Sequence, residues 1–111
     1  MKSKDVLQEL FAGGYLDERG IYAYGQASAG LRYLVTVCGE KVTVFESNHE
    51  NEAVKIILTA PAGSLKHVEC RTGLLHLHSK IAFTYNAVPY RFTTGTGAGK
   101  CVAFFKALSK R

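Results

Sequence analysis

The second half of this chain almost lacks acid. Residues 53–111 contain nine Lys and Arg but a single carboxylate, Glu69, whereas residues 1–52 contain five Lys and Arg against eight Asp and Glu. A basic half without internal compensation attracts nucleic acid, anionic lipid or an acidic protein surface, and the imbalance alone does not choose among them. Also missing is any apolar run near the ~18 residues that a helical bilayer crossing requires. The longest uncharged stretch, Gly20 to Leu31, is short and interrupted by polar residues and glycine. In "MKSKDVLQELF", Asp5 and Glu9 break up the apolar region that a secretory signal would need, so a cytoplasmic protein is expected. Cysteine is scarce and odd in number. Cys38, Cys70 and Cys101 are scattered among apolar neighbours, which excludes a disulfide frame and reads as reduced core filler.

What is present suits one folded domain. The 111 residues are 47 % apolar and 21 % charged, an ordinary globular balance. In the first segment, Val6, Leu7, Leu10 and Phe11 fall on one stripe of a 3.6-residue period, with Ser3 as cap and Gly13-Gly14 as stop. Such a short helix is marginal alone, so its stripe must dock on its own domain or on another subunit. From Gly20 the period becomes alternating. Seven runs read as strands: "GIYAYGQ", "LRYLVTVC", "VTVFES", "EAVKIILTA", "LKHVECRT", "KIAFTYN" and "YRFTT", with "GEK", "NHENE", "PAGS" and "AVP" among the turns. Connections of hairpin length without intervening helices predict an antiparallel sheet.

"TTGTGAGKC", Thr93 to Cys101, resembles a phosphate loop, but Thr94 stands where that motif needs glycine and Cys101 where it needs Ser or Thr. Beyond it, Ala98, Cys101, Val102, Phe104, Phe105 and Leu108 occupy one side of a helical wheel and Lys100, Lys106, Lys110 and Arg111 the other. The glycines therefore turn the last strand into an amphipathic helix. His76 and His78 sit two apart, with Cys70, His67 and His49 as the other donors, but no C-x-x-C or H-x-x-x-H spacing supports a metal site, and an exposed connector with Leu75 and Leu77 turned inward is expected. Tyr85, Tyr90, Arg91 and Phe92 mix aromatic and basic character; on strands such aromatics are expected in the core or in cross-strand pairs.

Seven antiparallel strands followed by one amphipathic helix is the element order of pleckstrin-homology-like (PH-like) domains. The chain resembles their bacterial, YokE-like members over about Gly20 to Leu108. The resemblance is carried by "LRYLVTVCGEKVTVFE", by "SLKHVECRTGLLHLHSKIAFTY" and by the "AFFKAL" helix. It implies a mainly β (α+β) fold: a seven-stranded antiparallel barrel of two orthogonal sheets, capped by the C-terminal helix. It also implies a binding or assembly role with no catalytic residue, metal or cofactor. Where PH domains that hold phosphoinositides carry several cations, "YAYGQASAGLRY" has Arg32 alone.

The expected organisation is an N-terminal helical arm over 1–14 and a PH-like domain over 15–111. The expected function is a protein-interaction or self-assembly module, with binding of anionic lipid headgroups or nucleic acid through the basic half as the alternative. Candidate anion or partner residues are Lys66, Arg71, Lys80, Arg91 and Lys100; candidate oligomer contacts are Val6, Leu7, Leu10 and Phe11. An acidic tip at Glu46, Glu50 and Glu52 is expected to face the basic strands of another copy.

Overall fold

The computed structural model describes residues 6–27, 30–48, 53–73, 78–95 and 97–110. The elements run α1 (Val6–Ala12), β1 (Tyr22–Gln26), β2 (Arg32–Cys38), β3 (Lys41–Ser47), β4 (Ala53–Pro61), a 3-10 turn (Ala62–Ser64), β5 (Lys66–Thr72), β6 (Ser79–Tyr85), β7 (Val88–Thr94) and α2 (Gly99–Ser109). All seven strands join one antiparallel sheet in the order β4-β3-β2-β1-β7-β6-β5. The β1–β7 ladder is short, with only Gly25 opposite Thr94 and Gln26 opposite Thr93. The sheet thus falls into a four-stranded and a three-stranded part joined by two residue pairs.

Alternation sorts each strand between two faces. The inner face carries Ala23, Val35, Val37, Val42, Val44, Leu58, Ile81, Phe83 and Phe92, and α2 closes over it with Cys101, Phe105 and Leu108. Phe105 is the hub: its ring stacks on Phe83 at 5.9 Å and meets Phe92 edge-on at 6.5 Å. Gly97, at φ 88°, takes the left-handed conformation that turns the chain from β7 into α2. The glycine-rich run therefore serves the turn.

The outer face has a second, smaller core. Leu34 and Phe45, opposite each other on β2 and β3, pack with Val6 and Leu10 of α1 and with Leu16. Here the structure splits the expected four-residue stripe, because Val6 and Leu10 are buried in the chain's own fold while Leu7 and Phe11 are 39 % and 48 % exposed. A seven-residue helix seated by one i, i+4 pair has too narrow a footprint to bury both neighbours.

Two further local features depart from expectation. The β6–β7 turn is Asn86-Ala87 rather than "AVP": both residues have positive φ, 52° and 65°, and Tyr85 pairs with Val88. In a two-residue hairpin that closing pair is hydrogen-bonded. Pro89, opposite Thr84, then occupies a non-hydrogen-bonded site where its missing N–H breaks no bond to β6. Both outermost strands are also bulged. The β3–β4 register shifts at Val44/Phe45 and at Glu46/Ser47, and the β5–β6 register shifts between Lys66 and Glu69, where His67 has φ 51°. Bulges at free edges discourage pairing with another strand.

Candidate functional site

Among the described residues no helix lies over the outer face of β5–β7, since α2 lies on the inner side against β5 and α1 is seated on Leu34 and Phe45. Register places its residues as a grid. Arg71 is opposite Lys80 and Lys80 opposite Thr93; Glu69 is opposite Ala82 and Ala82 opposite Arg91; Lys66 is opposite Thr84. Residues directly opposite share a face, so Lys66, Arg71, Lys80 and Arg91 all point outward together with one acid, Glu69. Lys66 joins them only because of the β5 bulge: three positions from Glu69, it would face inward in a regular strand.

Glu69 offsets only one of the four positive charges of this grid. Arg71 and Lys80 are a directly opposed like-charge pair, an arrangement that costs a sheet roughly 0.2–1 kcal/mol. Among the described residues no carboxylate forms an ion pair with Lys66, Arg71, Lys80 or Arg91. The ion pair between Asp17 and Arg19, 2.7 Å, belongs to a different arrangement. Gly39 N donates to Asp17 at 2.8 Å, Arg19 donates to the Gly39 carbonyl at 2.7 Å, and Lys100 Nζ donates to the Arg19 carbonyl at 3.0 Å. Hydrogen bonds from the Arg19 side chain and from the Gly39 backbone hold the Asp17 carboxyl far below the usual carboxylate range, and Asp17 raises the Arg19 pKa in return. This latch ties the loop before β1 to the β2–β3 turn and to the start of α2. Lys100 therefore stands apart from the other four basic candidates.

Two open grooves flank the short β1–β7 ladder. One, about 840 Å³, passes over Ala82 between Glu69 and Arg91 and reaches Gln26. The other, about 690 Å³, is lined by Tyr22, Tyr24, Gln26, Arg32, His78 and Thr93. Arg91 borders the first groove, while Tyr90 stacks on Phe83 at 5.5 Å and Phe92 is buried, so the aromatic residues of that hairpin serve the core. Two thiols are shielded: burial raises Cys70, whose Sγ donates to the Val102 carbonyl at 3.7 Å, and burial followed by Cys70 pushes Cys101 up to about 12. Among the described residues no three His, Cys, Asp or Glu side chains gather as metal ligands. His49, Glu50, Glu52, Leu75, His76 and Leu77, and with them most of the acidic tip and of the two-histidine arm, lie outside the described residues. Glu46 is described, and it stands opposite Lys55.

Nothing in the local sequence pattern aligns Thr93, Gln26 and Arg32 in one row with Lys80. Their alignment depends on the β1–β7 register, and neither strand's local pattern encodes it. Compared with family models, with curated proteins and with solved structures, the chain matches none of them.

Proposed function

We propose that the chain is a non-catalytic binding module of PH-like architecture that engages an anionic partner through the outer face of β5–β7. One observation carries the reading: Lys66, Arg71, Lys80 and Arg91 share an uncovered face, with Arg71 and Lys80 directly opposed. A bound anion would lie between these charges and relieve their repulsion, so binding energy is stored in the free sheet. The element order and the division into four and three strands with a helix on the inner side fit the PH-like resemblance. The test is titration against anionic vesicles, an acidic polypeptide and oligonucleotides at two salt concentrations. A charge-driven partner binds at low salt and loses affinity as salt rises, and Arg71→Glu with Lys80→Glu abolishes binding. Unchanged binding in that double variant would refute the site.

A second reading, self-association, has its own observation. Among the described residues, four of the six exposed large apolar side chains lie on α1 and β4: Leu7, Phe11, Val54 and Ile56. Because Val6 and Leu10 hold α1 to its own sheet, Leu7→Asp with Phe11→Asp leaves the fold intact and turns an oligomer into monomer. A wild-type chain sedimenting as monomer at low salt rules this reading out.

A further inference from the structure

The register of the strands aligns one row across the outer face that is richer than the basic patch alone. Arg71 on β5 is opposite Lys80 on β6, Lys80 opposite Thr93 on β7, Thr93 opposite Gln26 on β1, and Gln26 opposite Arg32 on β2. Each of the five side chains ends in an N–H or O–H donor, and none is acidic. The neighbouring row is different: Glu69, Ala82 and Arg91 mix charge signs. At a strand spacing of 4.7–4.9 Å the donor row spans about 19 Å, perpendicular to the strands. We propose that this row is a track for the phosphate backbone of single-stranded nucleic acid, a proposal that rests on the anionic-partner reading above and names the partner.

Three features choose this occupant. The row combines Arg and Lys with a hydroxyl and an amide, the side chains that contact phosphate oxygens. Gln26, Arg32 and Thr93 of the row also line the groove of about 690 Å³ that includes His78 and the half-buried Tyr22 and Tyr24, which pack on the Leu34–Phe45 cluster and meet edge-on at 6.3 Å, so the open sides of these rings lie beside the backbone track, where bases can stack. An extended acidic peptide would instead run along a sheet edge, and both edges, β4 and β5, are bulged. The duplex is disfavoured at the β2 end. Leu34 and Phe45, next along the same face from Arg32 and Ser47, are covered by Val6 and Leu10 of α1, which bounds the track on that side. Arg32 also has an interaction within the chain, so the main load falls on Arg71, Lys80, Thr93 and Gln26.

The decisive variant is Gln26→Glu, which keeps the shape of an exposed side chain and places one carboxylate in the middle of the row. The control is Lys106→Glu on α2, which changes the charge by twice as much on the other side of the sheet. Binding of a labelled oligothymidylate of about 15 nucleotides is followed by fluorescence anisotropy, with melting curves to verify folding. The proposal expects Gln26→Glu to raise Kd by about tenfold or more, through repulsion at phosphate contact distance. It expects Lys106→Glu, across the sheet from the row, to change Kd by less than about threefold when measured at ~0.15 M salt, where exposed charges are screened over about 8 Å. A logarithmic salt slope of about −1.4 is expected for the two cations, Arg71 and Lys80, that carry the main load on a single strand. Equal or greater damage from Lys106→Glu overturns the track, because only the overall field would then matter. Binding of polyglutamate or anionic vesicles without the oligonucleotide also overturns it while leaving the anionic-partner reading standing. Failure of every polyanion at low salt removes both.

Discussion

The two parts of the sheet treat their outer faces oppositely. On β2 and β3 that face holds Leu34 and Phe45, and the chain spends α1 on covering them. On β5–β7 the same face holds Lys66, Glu69, Arg71, Lys80, Ala82, Thr84, Arg91 and Thr93, and among the described residues no helix is set over it. The inner face is alike in both parts: apolar, continuous and closed by α2. A sheet strand with apolar residues on both faces requires a layer on each side, whereas a strand that alternates apolar with polar requires one. The difference shows where stability is invested and where a surface is left for a partner.

The sharpest break in the comparison comes from the shared inner face. Phe105→Ala removes the ring that touches Phe83, Phe92 and Phe104 and should cost about 3–5 kcal/mol, as for other buried Phe truncations. Chemical denaturation measures it. A loss below about 1 kcal/mol would mean that α2 is not the lid of the core. Next in size is the cover on the outer face. Leu10→Ala, fully buried on α1, should cost about 2–5 kcal/mol, while Leu7→Ala, three residues earlier on the same helix, should stay within about 0.5 kcal/mol. Equal effects at both positions would put α1 in a different rotation.

Much of this architecture was legible, and what was not has identifiable causes. The seven strands and α2 follow from short-range alternation and a 3.6-residue period, which depend on neighbours within the same element. The rotation of α1 does not. Val6, Leu7, Leu10 and Phe11 are equivalent by period, and only the pair of apolar side chains awaiting cover on β2 and β3 decides which of them turn inward. The turn before β7 was hidden by Pro89, which reads as a turn former until the hairpin register places its missing N–H away from β6. The basic residues were visible one by one, but their convergence depends on a bulge at His67 and on ladders between distant strands. Parity counting along β5 puts Lys66 on the wrong face.

Beneath the covered part lies a smaller test. Thr36, opposite Tyr22 and Thr43, is fully buried, and its hydroxyl has no hydrogen-bond partner among the described residues. Thr36→Val keeps the shape and removes the unpaired group, so it should gain about 1 kcal/mol, seen as a rise of about 4 °C in Tm. A loss of stability instead would show that the hydroxyl is paired in solution, and the cover over this part of the sheet would then admit water.

The smallest effect is expected on the open part, and its sign is informative. Lys80 faces Arg71 directly, with no carboxylate paired to either among the described residues. Lys80→Gln keeps a long polar side chain and a donor but removes one of the two opposed charges. In the free protein this should raise stability by a few tenths of a kcal/mol, because a like-charge cross-strand pair is lost. The gain should shrink as salt rises, since the repulsion at this exposed site is screened. The same variant should weaken binding of any polyanion, so stability and affinity move in opposite directions. A surface kept only for solubility has no reason to show that opposition. If Lys80→Gln instead destabilises the chain at low salt, the ammonium is held by a partner within the fold, and the face ceases to be a store of unrelieved charge.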